Sequence, residues 1–226
     1  EVPLQCDVVD GWMGEATGGS SMTEMYESLA NDYMYGDRNN IMIFPDKHGM
    51  SRIYTRLDED YDKWKMAMTL FFTTRGTLQF YYGAEILMAN PGTEDHGVIR
   101  SDFPGGWEGD AVNAFTGEGL TEQQQEAQQY IANLAHLRRG SCALNMGEML
   151  HYIPLGEVYV YFKWFGDEHK MIVLNRNDEE VALGLDRFQQ GLEGFTTATD
   201  VWTGEEVTLG ATLTLAPMGS YIFDLK

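Results

Sequence analysis

The sequence predicts an α/β segment followed by an all-β domain, and three observations carry that reading. Up to about residue 139, short apolar runs alternate with longer runs of helical period. That order is typical of parallel strands joined by crossover helices. From Gly140 onward the runs become short, β-branched and aromatic, with turn residues at regular spacing, as in a small antiparallel β-sandwich. Helix starts are written out as capping boxes, Ser21-Met-Thr-Glu24 and Thr121-Glu-Gln-Gln124. The expected division is 1–139 and 140–226.

The elements follow in order. Val2 to Val9 reads as a buried strand with Asp7 and Asp10 near its end, and a Gly/Ser-rich loop runs from Gly14 to Ser20. The next helix shows Met22, Met25, Tyr26, Leu29 and Tyr33 on one face, a pattern that predicts core packing. Ile41 to Phe44 is a strand that breaks at Pro45 into a turn crowded with Asp46, Lys47, His48 and Arg52. In an α/β barrel the carboxyl ends of strands face the active site. Asp58 to Thr74 is a second helix, with Tyr61, Trp64, Met68 and Phe71 in a stripe and Gly76 ending it. Leu78 to Tyr82 is another strand. The Gly-rich segment Asn90 to Gly119 exceeds the usual loop length, and such loops are often functional. The helix from Thr121 carries Ala127, Tyr130, Ile131, Leu134 and Leu137, and ends at Arg138-Arg139-Gly140. Strands are expected at 157–164, 170–174, 181–185, 197–201, 206–209 and 220–225.

Composition narrows the function classes. The chain of 226 residues holds 35 acidic and 15 basic residues, a formal charge of −20. Phosphate backbones and anionic membranes would be repelled, so neither nucleic acid nor membrane is an expected partner. Two distant cysteines, Cys6 and Cys142, form no metal spacing and no disulfide framework. His48, His96, His136, His151 and His169 show no ligand spacing, so no metal is expected. Glu1-Val-Pro-Leu-Gln5 lacks the basic head and long apolar core of a signal peptide.

Phe44-Pro-Asp-Lys-His-Gly49 resembles the strand-seven motif Phe-x-x-Asn-His-Asp of the alpha-amylase family of glycoside hydrolases (glycoside hydrolase family 13). His48 matches, whereas Lys47 replaces Asn and Gly49 replaces Asp. Gly76-Thr-Leu-Gln-Phe-Tyr-Tyr-Gly-Ala-Glu85 resembles strand eight, Gly-x-Pro-x-x-Tyr-Tyr-Gly-x-Glu, with Leu78 for Pro. Asp95 to Trp107 is similar to the substrate-side loop of neopullulanase- and cyclomaltodextrinase-like members. The resemblance implies that residues 1–139 are the last three strand–helix units of a TIM (β/α)8 barrel and that 140–226 is the family's C-terminal β-sandwich. It implies an α-glucan or maltooligosaccharide as ligand and an extracytoplasmic location. Some amylases hold structural calcium, which nothing in this sequence predicts.

The family's retaining chemistry uses two carboxylates roughly 5–5.5 Å apart. By the alignment their strands lie upstream of Glu1, and Gly49 stands where a third, transition-state-stabilising Asp is expected. This chain by itself is therefore expected to be inactive. It would need the upstream barrel portion or self-association to cover its strand edges. Asp7, Asp10 and Glu15 show no spacing for an acid/base pair, and Asp46 lies across the turn from His48. The resemblance carries a sugar-contact role onto His48. Arg100, Asp102 and Trp107 form a plausible sugar-binding set: paired polar groups for hydroxyls and a flat apolar face for a pyranose ring. The alternative is that Arg100 and Asp102 pair with each other to brace the loop. Lys47 is open to a pairing with Asp46 or to filling the cleft. Tyr82 and Glu85 are expected to brace the end of strand eight. The alternatives to an enzyme part are an inactive α-glucan-binding relative and a purely structural fragment.

Overall fold

The computed structural model describes residues 22–226 and, before them, Val8. The expected first strand, with Asp7, Asp10 and Glu15, otherwise lies outside the described residues. Val8 itself is helical and buried in the main core.

Helix α1 (Thr23–Ala30) buries Met25 and Leu29 and passes into a 3-10 turn at Asn31–Met34. That tighter winding changes the register of the stripe, so Tyr33 emerges 81 % exposed instead of joining the core. Strand β1 (Met42–Ile43) leads through the His48 turn to α2 (Ile53–Arg56) and α3 (Tyr61–Thr73). Asp60 caps α3 by accepting from the N–H groups of Asp62 and Lys63, both at 3.0 Å. Gly76 follows with φ +98°, and a Cβ there would meet the Ile41 carbonyl oxygen at 2.5 Å, so only glycine fits this crossing. Strand β2 (Thr77–Leu78) pairs parallel with β1. The expected strands are cut short, Ile41–Phe44 to two residues and Leu78–Tyr82 to Thr77–Leu78. Each has a partner on one side only among the described residues, and the pair is held by Thr77 N–H and Gln79 N–H on the carbonyls of Ile41 and Ile43, both at 2.8 Å.

The segment after β2 contains one short helix, α4 (His96–Ile99), before α5 (Glu122–Gly140). The predicted capping box at Thr121 and Gln124 is present in both directions. Helix α6 (Cys142–Met146) follows directly. Strands β3 (Glu148–His151), β4 (Val158–Phe165), β5 (Glu168–Asn175), β6 (Val181–Gly184), β7 (Thr197–Asp200), β8 (Glu206–Thr208), β9 (Thr212–Leu215) and β10 (Ser220–Leu225) complete the chain, with a one-turn helix α7 (Gln189–Leu192) after β6. Six of them form an antiparallel sheet in the order β3-β4-β5-β10-β7-β8, and β6 pairs with β9 across the inner face. The sequence reading passes over β3 and β9. Thr212–Leu215 alternates exposed and buried, a legible strand signal, whereas Glu148–His151 has no such pattern.

The near-continuous apolar run of β4 has a simple cause. Val158, Val160 and Phe162 face the β6–β9 pair, while Tyr159 and Tyr161 on the opposite face join the helices. A strand buried on both faces has no polar side to show. Helix α3 is buried around most of its surface for the same reason, lying between α5 and the large sheet. Its Thr69 hydroxyl meets Tyr130 at 2.5 Å, and Thr73 hydrogen-bonds Tyr161. Rings of Tyr61, Trp64, Tyr130 and Trp202 then run from the helices to the β domain, with centroids 5.1–6.3 Å apart. Arg138 completes the junction. Buried at the end of α5, it donates to the carbonyls of Phe72, Thr74 and Gly76 at 2.8, 2.9 and 2.6 Å, and so satisfies the C-terminal end of α3.

Candidate functional site

The turn after β1 is folded around a buried carboxyl group. Asp46 is fully buried, and its Oδ2 accepts from the Ile53 N–H at 2.9 Å, closing the loop that carries Lys47, His48 and Gly49. Burial pushes its pKa up to about 6, against the opposing pull of that hydrogen bond and of Arg52; Glu85 nearby raises it further. Burial also raises the pKa of Glu85. Asp46 Oδ1, Arg52 Nη2 and Glu85 Oε2 have no hydrogen-bond partner among the described residues. Asp46 thus shapes the turn and exposes no surface to solvent. Glu85 is part-buried.

His48 and Gly49 are exposed on the outside of this turn. A Cβ at Gly49 would meet nothing within 4 Å, and its φ is not left-handed, so a larger side chain fits there without strain. Lys47 neither pairs with Asp46 nor fills a cleft: its Nζ sits 5.0 Å from the centroid of the Phe44 ring.

The long loop is brought to the turn by Arg100. Its Nε donates to the His48 carbonyl at 2.8 Å, and one Nη lies 2.8 Å from His96 Nδ1. Arg100 therefore does not brace the loop by pairing with Asp102, which leaves the exposed Asp102 carboxylate available. Tyr82 donates its hydroxyl to the Ser101 carbonyl at 2.9 Å, holding the loop to the turn that follows β2, as expected. Trp107 is 67 % exposed. Its segment is held from below: Asp110 Oδ2 accepts from the N–H groups of Gly105 and Trp107, at 2.7 and 3.1 Å. Asp102, Trp107 and Asp110 border a shallow cavity of about 310 Å³, with Phe103 and Pro104. Arg100 thus meets the His48 backbone, and Asp102 and Trp107 line one cavity, which His48 and Arg100 do not border. Phe115, 73 % exposed and edge-on to Phe103 at 5.1 Å, adds an aromatic face the sequence reading missed. Its signal was available, since it lies in the same Gly-rich segment.

A larger groove of about 860 Å³ lies elsewhere, along the open side of β2, between Phe72, Leu78, Phe80, Ile131 and Met146. It contains none of the polar groups just described. The chemistry favours the smaller cavity, and the groove lies where β2 has no neighbour among the described residues. Among the described residues no group of three His, Cys, Asp or Glu side chains could hold a metal ion, and no helix is long and apolar enough to cross a membrane.

Comparison with known proteins shows what the chain is similar to. The family model of the cyclo-malto-dextrinase C-terminal domain matches residues 149–224, which is β3 to β10. A cyclomaltodextrin glucanotransferase of Geobacillus stearothermophilus is 27 % identical over 168 residues, 74 % of this chain and 20 % of its own length. An alpha-amylase of Niallia circulans is 26 % identical over 156 residues, 69 % of this chain and 26 % of its own. Among solved structures, AmyP in complex with maltose superposes with a TM-score of 0.78 at 18 % identity, covering 98 % of this chain and 48 % of that one. The Geobacillus thermoleovorans alpha-amylase complexed with acarbose gives 0.74 at 18 %, covering 99 % and 47 %. At such identities these structures speak for the fold alone. The chain spans a fifth to a quarter of those curated relatives and about half of those solved chains. The β domain at 149–224 is similar to the cyclo-malto-dextrinase C-terminal domain, and the chain is similar in sequence to enzymes of the alpha-amylase family of glycoside hydrolases.

Proposed function

We propose that residues 1–226 are the C-terminal part of an alpha-amylase-like enzyme that hydrolyses α-glucans or maltodextrins with retention, with residues 1–139 as the last three units of a TIM barrel and 140–226 as the domain behind it. The observation that carries this reading is the Arg100–His48 bond, which joins the strand-seven turn to the loop after strand eight that also carries Asp102 and Trp107. His48, Arg100 and Asp102 supply hydrogen bonds to sugar hydroxyls, and Trp107 supplies a stacking face. The parallel β1–β2 pair joined through α3 supports a barrel order. Neopullulanase-like preference rests on the resemblance of the loop alone, as does an extracytoplasmic location.

In this reading the nucleophile and acid/base come from barrel strands other than these, and Gly49 weakens whatever activity they provide. Restoring the carboxylate with Gly49→Asp, together with Lys47→Asn, in the polypeptide that carries those strands should raise hydrolysis. A transition-state hydrogen bond to a charged group is worth on the order of 3 kcal/mol, about a hundredfold in rate. Release of reducing ends from starch, pullulan and cyclodextrins measures it and ranks the linkages. No gain in any of them contradicts the assignment of Gly49. A second reading, an inactive α-glucan-binding relative, is favoured by Gly49 itself and predicts sugar binding with no hydrolysis after the same substitutions.

A further inference from the structure

Two arginines cross between the His48 turn and the long loop in opposite directions. Arg100 reaches from the loop to the His48 carbonyl at 2.8 Å. Arg52 reaches from the turn to the carbonyl of Ile99, the residue before Arg100, with Nε at 2.9 Å. The two bonds sit in different surroundings, because Arg100 is exposed and Arg52 is 1 % exposed. Exposed charged contacts are screened and weak, whereas a buried guanidinium without its acceptors is costly. Arg52 also donates Nη1 to the Tyr82 carbonyl in the turn that follows β2. Its plane lies over the rings of Tyr81 and Tyr82, 4.4 and 5.0 Å from their centroids. Its backbone N–H donates to Asn90 Oδ1 at 2.8 Å, and Asn90 in turn donates to Ser51 Oγ and the Thr93 carbonyl, at 2.9 and 2.7 Å. One buried side chain and its neighbour therefore touch the His48 turn, the turn after β2 and both ends of the 90–99 segment.

We infer that Arg52 is a positioning residue: it sets residues 99–102 beside the turn, and so holds Arg100 at the His48 carbonyl without touching the ligand. A rigid fork can serve the Ile99 and Tyr82 carbonyls at once while its face stacks on tyrosine; a lysine keeps the charge and loses that geometry. The Tyr82 hydroxyl, by contrast, ties the loop only at its exposed edge, to Ser101. The inference rests on the proposed function for what the loop binds, and on these bonds for how the loop is held.

The test compares amide hydrogen exchange and maltotetraose affinity in the wild-type chain, Arg52→Lys and Tyr82→Phe. In Arg52→Lys, amides of residues 95–103 should exchange about tenfold faster or more while those of β4 keep their rates, since loops open locally and independently of cores. Maltotetraose, followed by tryptophan fluorescence, should bind about tenfold more weakly, and Tyr82→Phe should stay within about threefold of wild type on both readouts. Unchanged exchange at 95–103 overturns the inference. So does equal acceleration in β4, which would mean a general structural role, or equal loosening by Tyr82→Phe. Loss of the whole fold in Arg52→Lys also overturns it, because a positioning role leaves both cores intact. If the wild-type chain does not respond to maltotetraose, the proposed function falls, and the exchange comparison alone upholds or overturns the role of Arg52.

Discussion

The β1–β2 pair and the six-stranded sheet are built from similar apolar runs, yet one is two residues long and the other is fully laddered. Ile41-Met-Ile-Phe44 and Val158-Tyr-Val-Tyr-Phe162 have comparable hydrophobicity and β-branching. The difference lies in their neighbours. Strand β4 is flanked by β3 and β5, and apolar layers cover both of its faces. Strand β1 has β2 on one side only among the described residues, and Met42 is 51 % exposed. A strand's extent is therefore set by its partners as much as by its own residues, and an unpaired edge is where further pairing occurs. The two regions also divide the chemistry. The closed sheet carries the fold, and the open pair ends in the turn and loop that carry the candidate site.

The largest expected effect comes from breaking the junction between the regions. Arg138→Met removes the donor to three buried carbonyls at the end of α3 and its crossing to β2. Losing a buried charged donor and leaving its acceptors unpaired costs about 3–5 kcal/mol. Urea unfolding should show a lower midpoint, and exchange at 61–78 should rise more than in β10. An unchanged midpoint would mean the two regions are not coupled there.

The next effect lies inside the closed sheet. Lys163 on β4 is fully buried, beside Arg138 and Arg38, and its Nζ has no hydrogen-bond partner among the described residues. Burial lowers its pKa to about 7, and the neighbouring cations add to that. The unfolded chain binds this proton more tightly, so stability should rise with pH between about 7 and 10.5. Lys163→Met should remove that slope and stabilise the protein by about 2–4 kcal/mol near neutral pH. Thermal unfolding at pH 7 and pH 9 checks both, and a destabilised variant would show that Lys163 has a partner in solution.

A smaller effect of opposite sign belongs to the open region. The pKa of Asp46 is raised above its unfolded value, so the folded state holds the proton more tightly. That contribution is complete below about pH 4 and is lost as pH rises through about 6. Roughly 2–3 kcal/mol is at stake. Asp46→Asn keeps an oxygen for the Ile53 N–H and should flatten the profile between pH 4 and 6. A slope that survives the substitution would have to come from another group, with Glu85 the nearest.

These particulars show what could be read from the chain. The Thr121 capping box, the stripes of α3 and α5 and the hairpin at Gly166-Asp167 are local signals, and all are present. Tyr33 was misread because one 3-10 turn moves a residue off its helical face. Arg138 stands at the end of its own helix in the sequence and serves the end of another helix more than sixty residues away. Arg52 is legible only as a polar residue in a loop, because its acceptors are the Ile99 and Tyr82 carbonyls, fixed by tertiary structure. His48, Arg100, Asp102 and Trp107 were reached by resemblance and by chemical type. The meeting of loop and turn depends on the bond from Arg100 to a backbone oxygen 52 residues away, which no side-chain pattern encodes.

The most direct measurement is a maltotetraose titration of the chain and of Trp107→Ala, followed by tryptophan fluorescence. Trp107 is exposed and its backbone is held by Asp110, so its removal should change stability by less than about 0.5 kcal/mol. The account predicts a saturable change in the wild-type chain that disappears in Trp107→Ala and weakens in His48→Ala. A wild-type response that persists unchanged in Trp107→Ala, or none at millimolar sugar, would contradict the placement of an α-glucan between the His48 turn and the Trp107 loop.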